Sequence, residues 1–209
     1  MSQNPTAIVI IVTYNSAAVI EAALASLPDH EVRVVDNGST DSTVELARRF
    51  SNVHVHEGER NLGYGAAVNV GAGLHPGRDI CLINPDVVVS PGAIQELARR
   101  CTGWPIGVVA PRLLNTDGSL QFSARNHQTL GVVLASRTPL GRTRVGQRLQ
   151  TWHHAPSIGD VVQEVPWVTG AAMYMNRRAY DAVGGFDPSY FMYHEDQEGL
   201  PRVRLTPHL

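Results

Sequence analysis

Two short stretches place oxygen-bearing side chains where chemistry would need them. "NPD" (84–86) follows the apolar run "ICLI", and Glu195-Asp196 follows the aromatic-rich "YFMYH". A hard divalent cation prefers oxygen ligands, and Mg²⁺ commonly takes one or two carboxylates together with substrate phosphates. In an extended segment, the i, i+2 spacing would put Asn84 and Asp86 on one side. The same tripeptide is also a common turn. Carboxylates against an aromatic wall suit a general base, because partial desolvation raises their pKa toward neutrality. Glu195 and Asp196 would equally suit the acidic first turn of a solvated helix. Asp36 ends the apolar "EVRVVD". There it can accept from a ribose or a base N–H, or serve as the N-cap or Asx turn of the next helix. Ser39, Thr40 and Asp41 could supply that cap and release Asp36.

Composition removes other chemistries. All 17 basic residues are arginine, so there is no lysine nucleophile, Schiff base or P-loop lysine. A net charge of −2 gives no general attraction to nucleic acid, which usually needs a basic face. Hydrophobic residues at 43% and charged residues at 17% supply a buried core rather than a disordered chain. Cys81 and Cys101 fall in a predicted buried strand and on a predicted helix face, outside any CxxC motif, which fits a reducing cytoplasmic setting. The histidines, including adjacent His153 and His154 and the lone His194, lack metal-ligand spacing. "GYGAAV" (63–68) lacks the third glycine of a dinucleotide fingerprint and follows the third strand rather than the first. The longest apolar run, "AIVIIV" (7–12), is too short to cross a bilayer.

The elements that position these residues alternate. "TAIVIIVTYN" reads as a strand buried on both faces. Ile20, Ala23, Leu24 and Leu27 form the apolar stripe of a helix over 16–27. "EVRVVD" (31–36) is a second strand, and "NGSTDSTVELARRF" opens a second helix with Ser42 and Glu45 in capping-box register. "VHVHE" (53–57), a small-residue helix over 63–74, "DICLINPD" (79–86) and a helix with Ile94, Leu97, Ala98 and Cys101 on one face complete the series. Such alternation implies βαβ crossovers and a mainly parallel sheet. From Pro111 to about Gly159 the chain turns polar, with "NTDGS" as a turn. Residues 161–176 regain strand character with a bend at Gly170, Met173 and Met175 being core, and 177–186 reads as a short helix stopped by glycines.

Ligands of an open parallel sheet bind at the carboxyl ends of its strands. Those ends carry Thr13-Tyr14-Asn15, then Asp36-Asn37-Gly38-Ser39, then Arg60-Asn61-Leu62-Gly63, then Asn84-Pro85-Asp86. Four strands delivering polar residues to one edge is the pattern of a small-molecule cleft.

Taken in order, "VIIVTYNS", "VRVVDNGSTDST", "ERNLGYGAAVNVG", "LINPDVVVSPGAI" and "PWVTGAAMYMNRRAYDAVGGFDPSYFMYHED" resemble glycosyltransferase family 2, the inverting transferases of GT-A fold. The resemblance covers roughly residues 7–196. Through "NPDV", "DGSLQFSAR" and "GGFDPSYFMYHED" it leans toward actinobacterial-type rhamnosyltransferases of cell-wall linker assembly. It implies an α/β, GT-A (Rossmann-like) domain over 5–209, with a nucleotide-sugar half (5–110), an acceptor and catalytic half (111–196) and an atypical tail (197–209). It implies that Thr13, Tyr14, Asn15, Asp36 and Asn37 hold the nucleoside, with Asp36 on the pyrimidine, and that Asn61 and Gly63 border the nucleotide-sugar. Asp86 would be the metal-binding residue of the Asp-x-Asp motif, whose first position is Asn84 here, with Mg²⁺ or Mn²⁺ as the ion. Asp196, beside Glu195, would be the catalytic base, and Trp167 to Gly170 would line the acceptor side. The implied partners are a nucleoside-diphosphate sugar, dTDP-rhamnose by the narrower likeness, and a saccharide or lipid-linked acceptor. The implied place is the cytoplasm, with peripheral contact at the inner face of the membrane.

After the Glu-Asp pair such proteins usually continue in a "VDLxxR" helix. Here "QEGLPRVRLTPHL" follows, in which Gly199 and Pro201 break a helix at its first turn. The expectation is a truncated or frameshifted transferase, either an active one that needs only residues 1–196 or an inactive remnant that at most binds nucleoside diphosphate. Sugar-nucleotide synthesis is disfavoured, because "TYNSAAV" stands where a Gly-rich loop with Arg and Lys would be needed.

Overall fold

The structure, a computed structural model, describes residues 7–101, 107–121, 124–125, 143, 163–165, 167–168, 170–189 and 203–206. The first half alternates as expected: β1 (Ala7–Thr13), α1 (Ile20–Ala25), β2 (Val32–Asp36), α2 (Thr43–Ala47), β3 (Val53–Glu57), α3 (Tyr64–Gly73), β4 (Asp79–Ile83) and α4 (Ala93–Arg100). The second half adds β5 (Val108–Pro111), β6 (Leu113–Leu114), β7 (Leu120–Gln121), β8 (Ala124–Arg125), β9 (Gln163–Val165), β10 (Trp167–Val168), β11 (Ala172–Met175), α5 (Arg177–Val183) and β12 (Val203–Thr206).

Eight of these strands form one sheet in the order β3-β2-β1-β4-β11-β5-β12-β9. β1 pairs in parallel with both β2 and β4, and β2 with β3. β11 runs antiparallel to β4 and β5, while β12 is parallel to β5 and antiparallel to β9. The sheet is therefore mainly parallel, with β11 reversed in its middle. "NTDGS" is the turn between antiparallel β6 and β7. The strand character expected over 161–176 is divided among three strands, with the expected bend at Gly170. β9 joins the main sheet, β10 pairs with β8, and the chain turns at Gly170 before β11. Part of the tail, residues 203–206, lies within the sheet as β12.

Strand alternation sends side chains into two cores. Ile8, Ile10, Val12, Ile80, Leu82, Met173 and Met175 meet α3 and α5 on one face, with Tyr180 and Phe186. Val9, Ile11, Cys81, Ile83 and Tyr174 meet α1 and α4 on the other, with Cys101. Both cysteines are free and buried, and burial pushes each thiol up to about 12. The small residues of α3 let it lie close to the sheet. A Cβ at Gly71 would stand 3.0 Å from both Ile10 Cγ2 and Val35 Cγ2. Gly71→Val is expected to cost about 1–3 kcal/mol through overpacking. Urea unfolding measures it, and an unchanged midpoint would show that α3 can shift outward.

Two helix starts depart from the sequence pattern, α1 in its position and α2 in its cap, while α5 starts at 177 as expected. α1 begins at Ile20 rather than 16, because Ser16 N donates to Thr43 Oγ1 (2.7 Å) and Ala17 N to Asp41 Oδ2 (3.1 Å), which keeps that turn out of the helix. Its stripe, Ile20, Ala23, Leu24 and Leu27, is buried as expected. α2 begins at Thr43, and Ser42 at its N-cap makes no side-chain cap bond. The capping box is replaced by Asp41, whose carboxylate accepts from Thr43 N and Thr43 Oγ1. α5 is capped by Asn176, which accepts from Ala179 N, and ends at Gly184 and Gly185, both at positive φ.

At the opposite end of the sheet, Arg177 donates to the Ala72 and His75 carbonyls at 3.0 Å, a cation on the last turn of α3. His75 Nε2 accepts from Arg33 Nε at 3.1 Å, and Arg78 bridges Glu31 and the Ala7 carbonyl. Burial, then the Arg33 charge, hold the His75 pKa below its ordinary 6.5 against the pull of Glu31. The folded chain thus binds fewer protons here than the unfolded chain. The stability this contributes is fully present above about pH 6.5 and is lost as pH falls below it. The melting temperature is expected to drop between pH 7.5 and 5.5, and to drop less in His75→Gln, where an amide oxygen still accepts from Arg33. Equal pH dependence in the two proteins would exclude His75 as the source.

Candidate functional site

The carboxyl ends of β1, β2, β3 and β4 lie side by side, and the loops leaving them are laced together. Asp36, 2% exposed, accepts from Thr13 Oγ1 (2.8 Å), Ser39 Oγ (2.5 Å), Ser39 N (2.8 Å) and Gly38 N (3.1 Å). The Asx turn is present, with Gly38 N and Ser39 N both donating to Oδ2. Asp41 does hold the start of α2, yet this leaves Asp36 fully engaged, because the two carboxylates serve different turns. Gly58 N donates to the Asp36 carbonyl at 2.7 Å, and a Cβ at Gly58 would stand 2.8 Å from that oxygen. Only glycine allows that approach.

Asn15 takes a left-handed conformation, φ 51°, and its Oδ1 accepts from Thr40 N at 2.8 Å while its own N donates to Ser39 Oγ at 2.8 Å. Loops leaving β1 and β2 are thereby locked to each other. Asn37 is buried, donating to the Gly63 carbonyl at 3.1 Å and accepting from Leu62 N at 3.4 Å. Asn61 Oδ1 accepts from Gly63 N at 2.9 Å, and Gly63 has φ 89° where the chain swings into α3. Thr13, Asn15, Asp36, Asn37, Asn61 and Gly63 thus form one preorganised polar floor. Tyr14 stands out from it, 53% exposed, with its ring free to stack on a planar ligand.

At the end of β4, where both an extended segment and a turn were open, the turn is present. The strand stops at Ile83, and Val87 N donates to the Asn84 carbonyl at 3.1 Å, so 84–87 is a turn. Proline at its second position favours this, since its fixed φ matches that turn position. Asn84 and Asp86 therefore do not share a strand face. Asn84 faces Tyr64, whose hydroxyl lies 3.1 Å from Asn84 Oδ1 and 2.9 Å from the Gly170 carbonyl oxygen. Asn84 N also donates to the Ala171 carbonyl at 2.8 Å. Asp86 is exposed, with no hydrogen bond or ion pair to another described residue.

The structure thus brings Asn84 and Gly170 together through Tyr64, a residue the sequence pattern did not single out. It does the same for Asn69 on α3. That amide donates to the Phe186 carbonyl (2.7 Å) and accepts from Phe186 N (2.9 Å) and from the Tyr180 hydroxyl. A Cβ at Gly185 would stand 2.7 Å from Asn69 Oδ1, which accounts for the second glycine of "GGF". Asn69 holds in place the segment that leads toward Glu195 and Asp196. Those two residues lie outside the described residues. Trp167 is placed by its backbone in β10, opposite Arg125. Among the described residues, no three His, Cys, Asp or Glu side chains gather as a metal cage.

Residues 8–162 match the family model described as Glycosyl transferase family 2. The chain belongs to that family. It is 34% identical over 206 residues to the N-acetylglucosaminyl-diphospho-decaprenol L-rhamnosyltransferase of Mycobacterium tuberculosis, covering 90% of this chain and 67% of that protein. Among solved structures it is similar to a mannosyltransferase from Pyrobaculum calidifontis in complex with GDP-Man and Mn²⁺, with a TM-score of 0.61 and 18% identity. That likeness covers 99% of this chain and 56% of the other. It is also similar to S. aureus TarS in complex with UDP-GlcNAc, with a TM-score of 0.60 and 18% identity, over 95% of this chain and 55% of that one. The fold is GT-A, as the family resemblance implied, and its sheet is mainly parallel, as the alternation of elements implied. The chain spans little more than half the length of those two structures.

Proposed function

We propose that this family 2 chain transfers a sugar from a nucleoside diphosphate to a hydroxyl acceptor with inversion at the anomeric carbon. The observation that carries this reading is the strand-end floor: buried Asp36 and Asn37 lock the loops of β1, β2 and β3 into one rigid polar edge beneath exposed Tyr14 and beside exposed Asp86. In this reading the Tyr14 ring stacks on the base, and Thr13, Asn15, Asp36 and Asn37 act through the loop they build around the nucleoside. Asn61 and Gly63 border the sugar nucleotide, and Trp167 to Gly170 line the acceptor side.

The donor set suits a divalent cation. Asp86 offers an exposed carboxylate and Asn84 an amide, both hard oxygen donors of the kind Mg²⁺ and Mn²⁺ take alongside substrate phosphates. When bound, such an ion neutralises charge on the departing diphosphate. The Asp196 carboxylate, preceded in sequence by Glu195, removes the proton of the acceptor hydroxyl, and the hydroxyl oxygen attacks from the face opposite the leaving nucleoside diphosphate. The mycobacterial relative supports rhamnose as the sugar and a lipid-linked saccharide as the acceptor. With that acceptor, the working place is the cytoplasmic face of the membrane. Among the described residues no helix is long and apolar enough to cross it, so the contact proposed is peripheral.

Calorimetric titration with several nucleoside diphosphates, with and without Mn²⁺ or Mg²⁺, tests the reading, followed by a transfer assay with dTDP-rhamnose. Selective binding strengthened by metal, together with turnover, supports it. Binding without turnover would point to a donor-binding module, and no binding at all would overturn the reading.

A further inference from the structure

We propose that Ser26 is a positioning residue for Asp86, its hydroxyl fixing the backbone of the loop that presents the Asp86 carboxylate to the cation-diphosphate ligand. This rests on the donor-binding reading above. It gives the last turn of α1 a task in shaping the cation site.

Asp86 is exposed, and its side chain bonds to no other described residue. Where its carboxylate stands is therefore set by the backbone on either side of it. β4 ends at Ile83, so no sheet neighbour serves this stretch. On the amino side the hold is at Asn84, whose N donates to the Ala171 carbonyl at 2.8 Å and whose carbonyl accepts from Val87 N at 3.1 Å. On the carboxyl side the hold is at Val89, whose N donates to Ser26 Oγ at 3.0 Å across a separation of 63 residues. The next backbone bond, from Ala93 N to the Ser90 carbonyl, is local to the start of α4. Ser26 thus supplies the polar tie between the far end of this loop and another element.

The hydroxyl is suited to that task. Ser26 is the C-cap of α1, and its Oγ donates to the Ala23 carbonyl at 2.6 Å. That uses its one proton and leaves lone pairs for an N–H. The helix behind it is seated by Ile20, Ala23, Leu24 and Leu27, each buried. Packing alone would not set the loop's register. Residues 87 to 89 are all valine; Val87 packs against the core, Val88 is 63% exposed and Val89 is buried. A slip by one position would put the same side chain inward, and a register with little to specify it is prone to slip. A bond to one particular backbone N–H decides which valine turns inward, and with it where Asp86 stands.

The test is titration of nucleoside diphosphate into the full chain, once with Mn²⁺ and once with chelator, using the tightest binder among dTDP, UDP and GDP. The proteins are wild type, Ser26→Ala, Ser26→Val, Ser26→Thr, Asp86→Ala and the double variant Ser26→Ala with Asp86→Ala. The quantity read is the ratio of Kd without metal to Kd with Mn²⁺. A general weakening of binding cancels in that ratio, and melting curves check that each variant folds. The ratio is expected to fall about 2- to 10-fold in Ser26→Ala and Ser26→Val, the worth of one hydrogen bond. Ser26→Thr, which has the shape of valine but keeps a hydroxyl, should retain it. Adding Ser26→Ala to Asp86→Ala should change it no further, because Ser26 acts through Asp86. If folded Ser26→Ala or Ser26→Val keeps the ratio in full, if Ser26→Thr loses as much as Ser26→Val, or if Ser26→Ala and Asp86→Ala act additively, the inference falls while the functional reading stands. Wild-type binding that ignores Mn²⁺ would remove the inference and leave the donor reading in place. If wild type binds none of the three nucleotides, the functional reading fails and takes the inference with it.

Discussion

An Asp196→Asn variant is expected to transfer sugar about 10²–10⁴-fold more slowly than wild type while still binding nucleoside diphosphate. An acceptor hydroxyl is a poor nucleophile until its proton is removed, and an amide cannot remove it. The proposed donor floor is built from the loops leaving β1 to β3, so affinity for the nucleotide should survive. Glu195→Gln separates the two acids. If Asp196 is the base, Glu195→Gln retains more activity than Asp196→Asn. Transfer kinetics and a parallel titration decide the matter, and an Asp196→Asn variant working at the wild-type rate would remove Asp196 from the mechanism.

Asp36→Ala is expected to be the most destabilising change at the candidate site. Its carboxylate serves four donors, the hydroxyls of Thr13 and Ser39 and the backbone N–H groups of Gly38 and Ser39. Alanine would strand all of them beside a buried position. Some would find water, since the Ser39 end is partly exposed, but Thr13 is 1% exposed and would not. A loss of about 2–4 kcal/mol follows from unsatisfied buried donors. Nucleotide affinity should fall with it, because the loop that would surround the nucleoside loses its frame. Asp36→Asn, which keeps one accepting oxygen, should lie between. Chemical denaturation and calorimetry measure the two effects, and an Asp36→Ala protein that unfolds and binds like wild type would show that the loop holds itself.

The frame of the fold was legible because burial on both faces leaves a blunt mark in sequence. "AIVIIV" and "ICLI" are apolar without interruption, and each became the body of a strand with every one of those residues buried. The helix stripe of α1 was equally plain. What failed was local and polar. Ser42 and Glu45 had the spacing of a capping box, yet Asp41 could also reach the first turn and prevailed, since an ionised acceptor bonds an N–H more strongly than a hydroxyl does. For Asn84 and Asp86 the sequence left both a strand end and a turn open, and Pro85 between them made the turn. At the site, residue types at the strand ends were readable, while their partnerships were not. Tyr64 meets Asn84 at a separation of 20 residues and Gly170 at 106, and Asn69 meets Phe186 at 117. No periodicity of 2 or 3.6 encodes contacts of that range.

The two buried thiols have a practical consequence. Cys81 and Cys101 are the chain's only cysteines, and burial keeps both protonated far above neutral pH. A thiol-directed dye should leave the native protein nearly unlabelled, and with no lysine present, amine-directed reagents reach little beyond the amino terminus. A single cysteine introduced at the exposed Leu62, next to the Asn61–Gly63 bend, would then carry a fluorophore alone, and its emission could follow ligand arrival at this edge without background from the rest of the chain.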